Sequence, residues 1–221
     1  MNATISADIV RSTSLATADL IYLRDGLRKL LRRFEADYPG FWARIIRGDS
    51  IECFVPIIKD ALRISVLIKL CVKMLVSELD CSEKLKRYGI RFSIGVSDRV
   101  YESKADDIID GPAIYISGRN LDIISRKDSL MTAFEIENES NQFNHLMDSY
   151  VAMVSSIVDS YSAKQSAVVY YKLLGYKESE ISERLGIYQS SVNTRATNAQ
   201  WGLLNTAIKD FENLNYERIC G

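Results

Sequence analysis

The chain has 221 residues, 47% hydrophobic and 26% charged, with a net charge of -1; this excludes a disordered or collagen-like chain and leaves room for two domains of about 100 to 150 residues or less. The near-neutral charge denies it a general pull toward nucleic acid, so any DNA contact must come from a local surface. The most apolar stretch, residues 61–76, carries Arg63, Lys69 and Lys73 and is shorter than the ~20 clean residues of a bilayer span, so no membrane segment is expected. The first ten residues lack the basic start and apolar run of a secretory signal, which places the protein in the cytoplasm. The cysteines at 53, 71, 81 and 220 show no paired spacing and His145 has no nearby ligand partner, so a zinc site is not expected.

In chain order, residues 2–9 alternate small and apolar side chains and read as a strand ending at Asp8 or Ile9. Residues 17–36 repeat leucines at helical spacing, and Arg28, Lys29, Arg32 and Arg33 form a basic face that reads as solvated rather than phosphate-binding. Residues 41–47 and 51–57 form a hairpin around Gly48, Asp49 and Ser50. A helix follows over 58–79 with a narrow polar stripe at Ser65, Lys69 and Lys73, apolar enough to need cover beyond one sheet face. Residues 90–96 give a strand, 102–110 a polar loop, 112–124 a helix started by Pro112, and 130–136 a closing strand. The order predicts an α+β, ferredoxin-like domain over residues 1–138 with its helices on one sheet face.

A polar break at 137–142 precedes a connecting helix over 143–160, and everything from 161 to 221 reads as an all-α helix-turn-helix domain, opened by a capping box at Ser162 and Gln165. Within it Ser182 is small, Gly186 suits a left-handed turn, and Ile181, Leu185, Ile187 and Val192 fill the wedge between two helices. The second helix would present Gln189, Ser190, Ser191, Asn193, Thr194 and Arg195, residue types that reach base edges and phosphates. The competing reading is a packing or dimerisation unit that touches no DNA. Tyr188 stands where a serine or threonine cap is expected, which weakens the start of that helix.

The segment Ala7-Asp8-Ile9-Val10-Arg11-Ser12-Thr13, followed by Gly48-Asp49-Ser50 and continued by residues 91–96 and 111–119, resembles the paired metal motifs of class III nucleotidyl cyclases over residues 2–136. That resemblance implies a nucleotide-cyclase-like fold, with Asp8, Asp49 and the Ile9 carbonyl holding magnesium or manganese together with a nucleotide. Its transition-state pair falls on Tyr115 and Arg119, with tyrosine in place of asparagine, and its base-selecting positions fall on Ile45 and Ile108. These departures speak against cyclase turnover, since losing one preorganised donor costs ~10²- to 10³-fold in rate. Asp8 and Asp49 read equally well as local caps of a helix start and a turn, and Arg119 as a surface residue.

Over nearly its whole length the chain resembles the SatD-like family of bacterial proteins. The resemblance rests on Gly48-Asp49, residues 91–96, Asp110-Gly111-Pro112-Ala113, Lys164-Gln165 and Leu185-Gly186-Ile187-Tyr188-Gln189-Ser190-Ser191-Val192. It implies an α/β domain joined to a C-terminal helix-turn-helix. The expectation from all of this is a DNA-binding regulator that acts as a homodimer, its degenerate cyclase-like domain sensing a nucleotide or mediating dimerisation. The alternatives are a nucleotidyl cyclase of altered specificity and a protein-interaction adaptor.

Overall fold

The computed structural model describes residues 1–46, 48–127 and 131–216. A five-stranded sheet is built from β1 (Asn2–Ile9), the hairpin β2 (Trp42–Ile46) and β3 (Ser50–Val55), β4 (Ile90–Ser97) and β7 (Thr132–Ile136). Its order is β2-β3-β1-β4-β7, antiparallel throughout except for the parallel pair β4 and β7. The first four strands follow the ferredoxin-like plan and β7 extends it, as the sequence predicts. The start expected for that last strand, Leu130, lies outside the described residues.

Strand alternation sorts side chains onto two faces. Ile5 lies opposite Cys53 and Ile94, and Ala3, Ala7, Ile9, Phe92 and Val96 share its face. All are buried beneath α1 (Thr17–Asp37) and α2 (Ala61–Val76). The other face carries Thr4, Ser6, Ser93 and Gly95, and α4 (Pro112–Arg126) lies on it. Helices therefore cover both faces, not one. The physical reason is size: with small side chains below it, α4 approaches closely enough for Ser6 Oγ and Ser117 Oγ to hydrogen-bond at 2.8 Å.

Three further elements depart from the sequence reading. A short helix α3 (Glu83–Tyr88) forms under a Ser82 cap that accepts from the Leu85 amide, and residues expected as a polar loop pair as β5 (Tyr101–Ser103) and β6 (Ile108–Asp110). The latter pair holds on through Ile109, buried against Trp42 and Phe54, and through Trp42 Nε1, which donates to Glu102 at 2.8 Å. One buried residue in three-residue strands leaves too little periodicity to read.

The polar stripe of α2 is not solvated. Lys69 is fully buried, 2.7 Å from the Asp159 carboxylate at the end of α5 (Asn141–Asp159), and its Nζ donates to the Ile90 carbonyl at 2.9 Å. Lys73 donates to the carbonyls of Asp159 and Arg87. The rest of α2 is covered by α6 (Ala163–Leu173) and α9 (Trp201–Asn213), with Arg63 bridging to Glu212 at 2.6 Å and to the Leu173 carbonyl. The apolar surplus of α2 is thus covered within the chain, which removes that ground for expecting a dimer.

The outer side of β7 is also met by α5. Asn144 accepts from the Ile136 amide at 2.8 Å and donates to the Ile136 carbonyl at 3.0 Å, while Asp148 accepts from the Phe134 amide at 2.9 Å. The match is geometric: four helical residues rise ~6 Å, close to the ~6.6 Å of two strand residues.

Buried ionisable groups give the stability a definite pH profile. Burial raises Asp60, Asp148 and Asp159 above the ordinary 3.8, the last despite Lys69, and lowers Lys73 from 10.5 to about 8. Just above 3.8 the folded state binds more protons at these carboxylates than the unfolded one, so stability falls as pH rises through their folded values. Between 8 and 10.5 the unfolded state holds the Lys73 proton that the folded state releases, so stability rises again. Thermal melts are expected to show the midpoint falling as pH rises from 3.8 through the folded values of these carboxylates, and rising again as pH passes about 8; a midpoint that rises through the acid range would contradict this burial.

Candidate functional site

Asp8 and Asp49 meet at one end of the sheet. Asp8 stands near the end of β1, opposite Ser50 on β3 and Arg91 on β4, while Gly48, at φ +84°, turns the hairpin so that the Asp49 carbonyl accepts from the Ile9 amide at 3.1 Å. Each carboxylate has an internal partner. Arg91 Nε donates to Asp8 at 2.5 Å and its Nη1 to the Ser125 carbonyl at 3.1 Å, and Ser12 Oγ donates to Asp49 at 2.6 Å. Burial raises the Asp8 pKa, Arg91 opposes that shift, and the Asp49 charge adds to it.

These residues do not fit a two-metal centre as they stand. Among the described residues no group of three or more histidine, cysteine or carboxylate side chains gathers, and the Asp8 charge that would hold a divalent ion is balanced by a guanidinium. Magnesium prefers octahedral oxygen ligands and keeps several waters, so it would have to displace Arg91 first. Calorimetry is therefore expected to show no saturable magnesium-dependent binding of a nucleoside triphosphate to the native chain, with binding emerging in Arg91→Ala. Saturable binding to the native chain that Asp49→Ala removes would overturn the ion-pair account.

Arg119 is not brought to the aspartates. Its guanidinium, largely exposed, sits 3.2 Å from Glu135 on β7, which also accepts from Asn120 at 2.8 Å. One turn earlier Tyr115 is exposed and its hydroxyl donates to Asp110; that hydrogen bond, and then the negative charge of Asp110, raise the tyrosine pKa. Both positions that the cyclase resemblance would give to the transition state thus face carboxylates. Sequence reasoning missed the Asp8–Arg91 pair; its only signal is cross-strand register, which needs the sheet order.

The second candidate lies on α7 (Glu178–Leu185) and α8 (Gln189–Asn198), joined through Gly186 at φ 61°, ψ 38°, the left-handed turn the sequence predicts. Val168, Ile181, Val192 and Ala196 form a small buried core, closed by Leu185 and Ile187. Ser182 does more than stay small: its hydroxyl donates to the Ile187 carbonyl at 2.5 Å and fastens the turn. Gln189, Ser190, Asn193 and Thr194 are exposed, whereas Ser191 and Arg195 are half-buried rather than fully outward. The Thr194 hydroxyl donates back to the Ser190 carbonyl at 2.9 Å, which commits its proton to the helix. Tyr188 precedes α8 without a side-chain cap bond and is 83% exposed, a feature sequence reading treated only as a poor cap.

No family model matches the chain, and no curated protein does. Two solved structures of a bacterial light-regulated adenylyl cyclase are similar to part of it. The first is 22% identical, covering 60% of this chain and 41% of that one with a TM-score of 0.41; the second is 19% identical, covering 60% and 74% with a TM-score of 0.36. The chain thus spans less than half the length of the first. The functional reading rests on the geometry of the chain itself.

That geometry favours one surface. The outward side of α8 carries amides and hydroxyls but no carboxylate, and the acidic first turn of α7 is partly engaged: Glu178 pairs with Lys172 at 2.8 Å, and Glu180 accepts from the Lys177 amide at 2.7 Å. Among the described residues no helix is long and apolar enough to cross a membrane.

Proposed function

We propose that the chain is a DNA-binding regulator whose reading element is α8, with the α/β body serving for ligand sensing or dimerisation. The observation that carries this is the two-sided character of α8: Val192 and Ala196 are buried, while Gln189 and Asn193, one turn apart, stand exposed together. A side-chain amide can pair with an adenine edge for ~1 to 3 kcal/mol of discrimination, and a recognition helix uses mainly its N-terminal half for this. The SatD-like resemblance, which implies a C-terminal helix-turn-helix, supports the same reading.

Arg195 is the one charged residue of α8, so affinity is expected to be modest and its salt dependence shallow, as few phosphate contacts dictate. Selection from a random duplex library, followed by a shift assay on the winner, tests the reading. Gln189→Ala combined with Asn193→Ala should weaken the selected site at least tenfold, by about 1.4 kcal/mol or more, and flatten base preference at the positions they face. An unenriched library, or unchanged affinity in the double variant, would sink it. The exposed Tyr188 beside the same helix would then favour a protein-interaction adaptor, since aromatic anchors are enriched at protein interfaces. Paired half-sites would accompany a homodimer, which light scattering at micromolar protein measures directly.

A further inference from the structure

The helix α5 carries two apolar stripes, and the folded chain uses only one of them fully. Met147, Val151, Val154 and Val158 are buried in the core. Beside them Phe143, Leu146, Tyr150, Met153 and Ile157 recur at alternate steps of three and four residues, the spacing of a coiled-coil seam. Phe143, Tyr150 and Ile157 lean on the core and stay half-buried, whereas Leu146 and Met153 lie outside it, 64% and 61% exposed. Tyr150 Oη donates to the Ala207 carbonyl of α9 at 2.5 Å, and one turn earlier in α9 Leu203 is 54% exposed.

The same face lacks charge. None of the seven exposed residues of α5, from Asn141 to Ser156, is an aspartate, glutamate, lysine or arginine, nor is any exposed residue in the first two turns of α9. The chain as a whole is 26% charged, so the gap does not follow from composition. Depletion of charge around methionine and aromatic side chains marks the core of a protein interface. It also argues against nucleic acid or a strongly charged partner, either of which would need opposite charge here.

We propose that this face joins two copies of the chain, α5 packing antiparallel on α5 about a two-fold axis at the level of Val151 and Ala152. An isologous interface must fit itself, and this stripe does. The axis sets Leu146 against Ile157 of the second copy and Tyr150 against Met153, and by symmetry the reverse, so that every layer is apolar. Uncharged on both sides, the two faces do not repel. With α5 about 28 Å long and α9 doubling the width to about 20 Å, each copy offers roughly 560 Å², near the lower end of specific interfaces at ~600 Å² per partner. A dimer of that size dissociates on dilution. The surface lies on the opposite side of α5 from Asn144 and Asp148, so it leaves the cover of β7 in place. The inference rests on the homodimer part of the regulator reading and names its surface.

Sedimentation velocity of the full chain from about 1 to about 100 µM tests this. The mass is expected to rise with concentration from the 25.0 kDa of one chain toward twice that value. Leu146→Glu combined with Met153→Glu should hold it at one chain throughout, because every layer of the antiparallel pair would then bury a carboxylate. Leu146→Glu alone should weaken association by about tenfold or more. Both side chains are exposed in the single chain, so circular dichroism should be unchanged, and the melting midpoint should lose the concentration dependence that the native dimer shows. Tyr101→Glu is the control. That residue is as exposed, on the β5 and β6 pair that packs against Trp42 at the other edge of the sheet, and the variant should associate as the native chain does. A native chain of one mass at every concentration would overturn the dimer itself. A dimer that survives the double variant would overturn this surface and leave the homodimer reading standing, and the library selection on α8 is independent of either result.

Discussion

Asp159→Asn is expected to destabilise the protein by ~3 to 5 kcal/mol, the cost of leaving a buried charge without its partner. Lys69 is fully buried and Asp159 is 8% exposed on its side chain, so water cannot replace the lost carboxylate. The Ile90 carbonyl would remain as a dipole partner, too weak to hold an ammonium in that position. Against a total stability of ~5 to 15 kcal/mol the loss is large. It should appear in urea unfolding as a lower midpoint. The control is the double variant Lys69→Met with Asp159→Leu, which removes both charges and is expected to recover most of the loss, because a buried ion pair is often no better than apolar packing of similar volume. A loss below about 1 kcal/mol in Asp159→Asn, or no recovery in the double variant, would contradict the pairing.

Gly95→Val is expected to reach or exceed the ~1 to 3 kcal/mol usual for overpacking. A Cβ built at Gly95 would fall well inside the van der Waals contact distance of the Ala113 carbonyl oxygen and 2.8 Å from the Ser117 amide nitrogen. Both obstacles are backbone, so no side chain can rotate away and α4 itself must lift. Lifting it breaks the bond between Ser6 and Ser117 and opens a face on which Thr4 and Ser93 are fully buried. The far-ultraviolet signal should persist at low temperature while the melting midpoint drops by several degrees, on the order of 4 °C per kcal/mol or less for a chain of this size. An unchanged midpoint would mean that α4 does not pack where its register places it.

How far the sequence reveals this molecule depends on the range of the interaction. The strands β1 to β4 and helices α1 and α2 are legible because their apolar residues repeat at periods of two or 3.6 within a few turns. The turn at Gly186 and the capping box at Ser162 are legible because they need particular residues at fixed offsets. What stays hidden is pairing between distant segments. Lys69 and Lys73 look like a plain polar stripe until α5 brings the Asp159 carboxylate to one and its carbonyl to the other. Asp8 and Asp49 look like a free pair until β4 places Arg91 beside one of them. The cover of the second sheet face by α4 was missed for a related reason: an alternation of small and apolar residues along β1 does not show that the small face is inward as well.

The contact of Asn144 and Asp148 with β7 sets a limit on how the chain can assemble. A terminal strand with free amides and carbonyls is a template on which another copy can add its own strand, and repeated addition leads to fibrils. Here the first half of α5 occupies the bonding positions of Phe134 and Ile136, so the sheet cannot grow in that direction while α5 is folded. Any symmetric association of the native protein must therefore use another surface. Conditions that fray the start of α5 would expose the β7 edge as a template for strand addition.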